Sequence, residues 1–326
     1  MWYFQVLATL IIVGVSALFP DFWQQRGELA FLISGFLTLG LFHGSADLLL
    51  LRKIISITPS RGPIRWFAVY VGLMGCIAGL WILIPQVVLL GFLLISIFHF
   101  GESQFWGACE QPSRLASWIR SCLQWVWGSW VIFTPIILHA EESMRILRSL
   151  GSFPYGIAWL EFFHASVESA KVTAVFLGLG AIVALLGYFG LQKRTFSRGF
   201  FRELSCLVLL QMVYLHCSLL TSFGLYFVIW HSMTSLRDQV RALKLLTAVG
   251  GARPCDGRSE LQIYIRAAVP YWGGAVGVLA LLMFTDLGAL VQVSPVDLVF
   301  LGAIVLTPPH TGVLSLLNRR VSGQSG

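Results

Sequence analysis

Ten runs of roughly 20 mostly apolar residues recur along this chain, and about that length is what a helix needs to cross a hydrocarbon core about 30 Å thick. They fall at roughly 3–19, 29–51, 66–84, 86–106, 115–139, 172–191, 203–220, 222–237, 262–285 and 297–317. Only Pro85 lies between the third and the fourth, and the eighth is short. Of the 326 residues, 57% are hydrophobic and 11% charged, where an average soluble domain carries about a quarter charged. A soluble fold of this size has too little interior for so much apolar surface. The chain is therefore expected to be an all-α polytopic membrane protein, a bundle of about ten transmembrane helices. Secreted disulfide scaffolds, nucleic-acid modules and cytosolic enzymes are excluded. The net charge of +7 is what basic cytoplasmic loops supply, so no nucleic-acid partner is expected.

Basic residues test the span count, because cytoplasmic loops carry the excess of Lys and Arg. With the N-terminus inside, sixteen of the 22 fall in inward loops and four (Arg26, Arg145, Arg148 and Lys171) in outward ones. Arg120 and Arg266 fall inside segments near their inner ends. This pattern predicts cytoplasmic N- and C-termini and a multi-pass protein of the plasma membrane. The first run has the option of a signal peptide cleaved after Ala17, but no Lys or Arg precedes it, so a retained helix is expected. Residues 140–171 form the one long outer connection, read as an amphipathic helix on the membrane surface. Residues 238–261, with Gly250, Gly251, Pro254 and Gly257, read as a flexible inner connection. No linker divides the chain, so residues 1–326 are expected to form a single transmembrane helical domain. The six cysteines include no CxxC pair and read as buried small hydrophobes.

The topology arranges the seven histidines. His139 and His164 fall at or beyond the outer surface, and His216 near the outer end of the seventh helix. His43, His99, His231 and His310 lie on even-numbered helices, each in the second half of its helix, so all four are expected at one depth in the cytoplasmic half of the bilayer. A polar ring at that depth faces the bundle interior and needs a partner. For any one histidine an interhelical hydrogen bond suffices. Four together point to a metal, since neutral imidazole is the commonest transition-metal ligand.

Asp47 lies one turn after His43 in His43-Gly44-Ser45-Ala46-Asp47, and Glu102 three residues after His99 in Phe98-His99-Phe100-Gly101-Glu102. Either carboxylate can accept the second ring N–H of a ligand histidine, or pair with Arg52 or a basic loop. Gly44 and Gly101 allow close helix approach. Pro308 and Pro309 precede His310 and free carbonyls in the tenth helix, as a kink or as part of a site. The aromatic sets Trp125, Trp127 and Trp130, and Tyr226, Phe227 and Trp230, either flank a long conjugated ligand or serve as core and interfacial belts.

The motifs His-Gly-x-x-Asp-Leu-Leu (43–49), Phe-His-Phe-Gly-Glu (98–102), Trp-His-Ser (230–232) and Pro-His (309–310), in this order, resemble those of the Brp/Blh family of membrane β-carotene 15,15′-dioxygenases. The resemblance implies a non-haem Fe(II) site built from four histidines, with His43, His99 and His231 at three ligand positions. It implies cleavage of β-carotene by O2 at the central double bond to give retinal, inside the lipid bilayer. At the family's fourth ligand position this chain has Ser235, and where the family tends to have Asp it has Gln104. His310 can complete the coordination, or three histidines can suffice with water or O2 in the open positions. A second reading is a carotenoid- or retinal-binding membrane protein with an altered substrate or no chemistry. A third is a transporter with a proton relay through the histidines and Asp47, against which stands the lack of internal repeats.

Overall fold

The computed structural model describes residues 1–55, 63–105, 114–150, 158–192, 196–249, 259–284 and 294–323. Every described element is helical, and among the described residues eight helices are long and apolar enough to cross a membrane. In chain order the helices are α1 (Trp2–Leu18), α2 (Pro20–Ile54), α3 (Pro63–Leu83), α4 (Pro85–Gln104), α5 (Arg114–Leu138) and α6 (Ala140–Ser149). They continue as α7 (Ala158–Ala165), α8 (Val167–Leu191), α9 (Arg198–His216), α10 (Leu219–Val249), α11 (Glu260–Phe284) and α12 (Pro295–Gly323). The chain is an all-α polytopic membrane protein.

All ten expected segments are helical, with two qualifications. α1 has 17 residues, and α9 opens with Arg198, Arg202 and Glu203, so neither is among the eight. Sequence chemistry sets the boundaries. α3 and α4 begin on Pro63 and Pro85, where a residue without an N–H costs nothing. Ser166, Ser197 and Ser218 cap α8, α9 and α10, each hydroxyl accepting from the backbone N–H three residues on.

The connection expected from residue 238 is corrected. α10 continues through Met233–Val249 as a helix, and Gly250, Gly251, Pro254 and Gly257 lie outside the described residues. Arg237, Asp238, Arg241 and Lys244 look like loop in the sequence. They fall beside an apolar face on which Ala242 and Leu243 are fully buried, Leu243 against Tyr264 and Ala268 of α11. In the outer stretch, α6 is amphipathic as expected. Ala140, Ser143 and Met144 are buried while Glu141 and Arg145 are exposed. α12 continues as helix through Pro308 and Pro309. Cys76, Cys122, Cys206 and Cys217 are free thiols.

The helices group into two compact units. Unit 1 comprises Met1–Leu32 and Ser96–His231, and unit 2 comprises Ile33–Ile95 and Ser232–Gly326. In unit 1, α5 and α8 pack side by side along their length. Trp127 and Trp130 are fully buried there, edge to face at 5.2 Å, with Tyr214 of α9 against Trp130 at 5.5 Å. In unit 2, α12 packs on the Asp47–Ile55 end of α2 and on α3. α3 carries no buried residue in its apolar window and presents Val69, Leu73, Leu80 and Ile82 outward, as a lipid-facing helix does.

Two helices depart from α geometry. Phe36–Gly40 in α2 and Leu225–Ser232 in α10 are π-helical, as is Trp23–Gly27 near the start of α2. Such wide turns leave backbone carbonyls needing other donors, and they recur at functional sites. The first precedes His43 by three residues and the second contains His231.

Candidate metal-binding histidines

Unit 1 holds His99 and His231. His99 rides on α4 where it crosses α5 at backbone contact. A Cβ on Gly101 would stand 1.9 Å from the Gln124 carbonyl oxygen, and one on Gly128 1.9 Å from that of Ile97. Only glycine fits at either position, so the crossing fixes the height and rotation of the segment carrying His99. Close approach at Gly101 was legible in the sequence; its partner Gly128 was not.

His231 is the last residue but one of the π-helical turn of α10. With bonds from i to i+5, residues four and five apart share a face. Phe227 and Tyr226 accordingly lie near-parallel to the His231 ring, at 6.0 and 6.3 Å, and Phe100 tilts against it at 4.6 Å. Trp230 turns the other way, its indole N–H donating to Thr9 Oγ1 of α1 at 3.1 Å. The Gln5 side chain of α1 donates to the Ile229 and Trp230 carbonyls at 3.0 and 3.3 Å. α1 thus supplies the donors that a π turn needs. Sequence reasoning missed Gln5 and Thr9. Their signal was two polar residues four apart, hence on one face, in an otherwise apolar helix. Replacing Gln5 with Leu removes donors from two carbonyls. The expected cost is about 1–3 kcal/mol of stability, read by thermal unfolding in detergent.

The imidazoles of His99 and His231 meet Nε2 to Nε2 at 3.2 Å, and the residues are 2% and 4% exposed. That distance suits a hydrogen bond if one nitrogen carries a proton. It equally suits two imidazole nitrogens that would hold one metal ion. Neutral nitrogen donors in an apolar shell fit a borderline transition metal such as Fe(II). Among the described residues no group of three or more His, Cys, Asp or Glu side chains forms a metal cage.

Unit 2 holds His43 and His310, whose rings meet edge to face at 4.9 Å. His43 Nδ1 lies 3.2 Å from the Leu39 carbonyl. His310 Nδ1 lies 2.9 and 3.0 Å from the two oxygens of Asp47. Asp47 is thus bound to His310 rather than to His43, its neighbour one turn back. The half-buried Tyr70 of α3, which sequence reasoning did not single out, donates to the same carboxylate at 2.7 Å. Gly44 faces His310, with space for a Cβ at ordinary contact distance.

Ser235 is buried, and its hydroxyl accepts from Gln239 Nε2 at 3.0 Å. Tyr264 OH lies 2.7 Å from the His43 carbonyl and 2.8 Å from Gln239 Oε1. Glu102 stays half-buried on α4, one turn after His99. Gln104 donates to the buried Glu203, which Arg202 also binds. Tyr226, Phe227 and Trp230 are all buried. The four histidines expected at one depth are therefore found as two pairs, one in each unit.

His139 and His164 lie at a separate cavity of about 400 Å³ in unit 1, lined also by Glu142, Arg145 and Phe163. Burial holds His139 below its ordinary pKa, partly offset by its bond to the Tyr214 carbonyl. Burial raises Glu142, against the Leu219 N–H that it accepts at 3.0 Å. A histidine with a depressed folded pKa stabilises the fold above its unfolded pKa, and that contribution is lost as pH falls. Thermal stability is therefore expected to drop below about pH 6.5, and to drop less in His139→Gln. Glu142 acts in the opposite sense, its contribution being lost as pH rises through its raised pKa.

The family model of β-carotene 15,15′-dioxygenase matches residues 34–318. The chain belongs to the β-carotene 15,15′-dioxygenase family. The match takes in both histidine pairs and supports a dioxygenase-type function on a carotenoid. No curated protein and no solved structure matches the chain.

Proposed function

We propose that this member of the family splits β-carotene with O2 at the central double bond, in the plasma membrane, using Fe(II) held by histidine. The carbon–carbon double bond breaks and each carbon takes one oxygen atom, so both atoms of O2 end in two molecules of retinal and no external reductant is needed. The observation that carries this reading is the His99–His231 pair, two buried nitrogens facing at 3.2 Å on a family member's motifs. A ligand role for His43 is proposed on the strength of the resemblance alone. Iron, when bound, supplies the redox reactivity towards O2 that amino-acid side chains lack.

The protein's own part is to hold and to shield. Phe100, Tyr226 and Phe227 surround the His231 ring with apolar surface and exclude water from it. Packing of this kind also suits a conjugated hydrocarbon that reaches the site from the bilayer. The Gly101–Gly128 crossing and the Gln5-supported π turn fix the two imidazoles, so that little ordering is needed when the metal arrives.

The test is expression in carotene-producing cells, with retinoids extracted and the protein shown folded in the membrane. Retinal accumulation supports the reading; intact carotene without retinal overturns it. A non-catalytic carotenoid binder is the second reading. It is favoured by Ser235, whose hydroxyl is a poor iron ligand and is engaged by Gln239. A binder would purify with carotenoid and without stoichiometric iron.

A further inference from the structure

α1 buries two side chains, and both are polar. Gln5 is 3% exposed and Thr9 fully buried, while Leu7, Leu10 and Ile11 stand more than half exposed, as lipid-facing residues do. A polar side chain in a membrane helix needs a partner on a neighbour, and a bond anywhere along that neighbour would satisfy it. Here the bonds gather at one place, the π turn of α10. Gln5 Nε2 donates to the Ile229 and Trp230 carbonyls at 3.0 and 3.3 Å. Thr9 Oγ1 accepts the Trp230 indole N–H at 3.1 Å and donates to the Gln5 carbonyl at 2.8 Å, which ties the two grips together.

Trp230 is thus held both by its carbonyl and by its indole, and the next residue is His231. The Trp230 carbonyl belongs to the planar peptide unit that joins the two residues, so fixing it fixes the plane from which the His231 backbone departs. π geometry is rare and competes with ordinary α-helix, so a turn of this length needs support from outside. The π turn before His43 in unit 2 is supported in the same manner. Trp272 of α11 donates its indole N–H to the Leu37 carbonyl at 2.7 Å. In each unit, a histidine of a family motif lies in or just after a π turn that a side chain from a helix without a motif holds. The family match begins at residue 34, so α1 lies outside it and the resemblance implies nothing for Gln5 or Thr9.

We propose that Gln5 and Thr9 are positioning residues of the oxygenation, which aim the His231 imidazole through the peptide plane and the indole of Trp230. This rests on the function proposed above and extends the working parts of the site to α1. Gln5 sets the peptide plane. Thr9 sets the rotation of the indole, and its hydroxyl braces Gln5.

The experiment uses the full chain, purified in detergent and loaded with Fe(II), with β-carotene as substrate. kcat and KM for retinal formation are measured below the unfolding temperature of every variant, and iron affinity by chelator competition. Thr9→Val keeps the shape and removes the hydroxyl. It is expected to lower kcat and to weaken iron binding, each by about 10-fold or more, with KM nearly unchanged. Gln5→Leu is expected to do the same. Thr9→Ser, which keeps the hydroxyl, is expected to recover most of both. Leu7→Ala, on the lipid-facing side of α1, is expected to change neither. If Thr9→Val and Gln5→Leu melt earlier but keep the parental kcat and iron affinity while folded, the bonds only join helices, and the positioning role is overturned while the function stands. Failure of Thr9→Ser to recover either quantity overturns it too. If Gln5→Leu does not fold, the Thr9→Val and Thr9→Ser pair decides. If the parent binds iron but makes no retinal, the carotene reading falls alone, and the iron affinities of the variants decide the positioning role. If the parent neither binds iron nor makes retinal, both fall together.

Discussion

Retinal formation in carotene-producing cells is expected to fall to background when His99 is replaced by Ala. The ring is 2% exposed and its Nε2 faces that of His231 at 3.2 Å, so removing it halves the nitrogen pair that carries the proposed function. Loss of one ligand from a site already short of donors weakens metal binding as well as turnover, so iron content is expected to fall in parallel. His231→Ala should behave alike, with an additional packing cost because Phe100, Tyr226 and Phe227 rest on that ring. Wild-type retinal yield from a folded His99→Ala protein would falsify the ligand role.

The second large effect involves no polar group. Gly101→Ala places a methyl 1.9 Å from the Gln124 carbonyl oxygen, with further backbone atoms of Gln124 at 2.5 and 2.8 Å. Backbone cannot rotate away as a side chain can, so α4 and α5 must separate. Overpacking of this kind costs about 1–3 kcal/mol or more. The separation also shifts His99 two residues away, so retinal yield should fall even where the protein still inserts. Gly72→Ala on α3 is the matched control. Nothing stands within 4 Å of its position, and alanine favours a helix by about 1 kcal/mol over glycine. If Gly101→Ala unfolds at the same temperature as Gly72→Ala in a detergent melt, the crossing is looser than the backbone distances require.

Much of the architecture was legible because span length is a property of the chain alone. Apolar runs placed all ten expected helices, and the family motifs ran in order through them. Where α10 ends was not legible. Arg237, Asp238, Arg241 and Lys244 read as a loop until their apolar neighbour Leu243 is seen against Tyr264. The partner of Asp47 was hidden for a different reason. Helical spacing shows that Asp47 shares a face with His43, but a bond to a residue 263 positions away depends on packing. The same holds for Tyr70. Gln5 and Thr9 carried a readable sign, polar residues one turn apart in an apolar helix, yet what they support lies on α10, more than 220 residues on.

The π turn at Leu225–Ser232 also has a genetic side. A π turn is equivalent to one residue inserted into an α-helix. Deleting a single residue between Leu225 and Ile229 would let ordinary helix re-form, and the Ile229 and Trp230 carbonyls would no longer be presented in the same way to Gln5, although no residue proposed to bind metal had changed. The position of this histidine is thus inherited partly as a chain length, and a one-residue deletion in that stretch should harm the protein more than most single substitutions there.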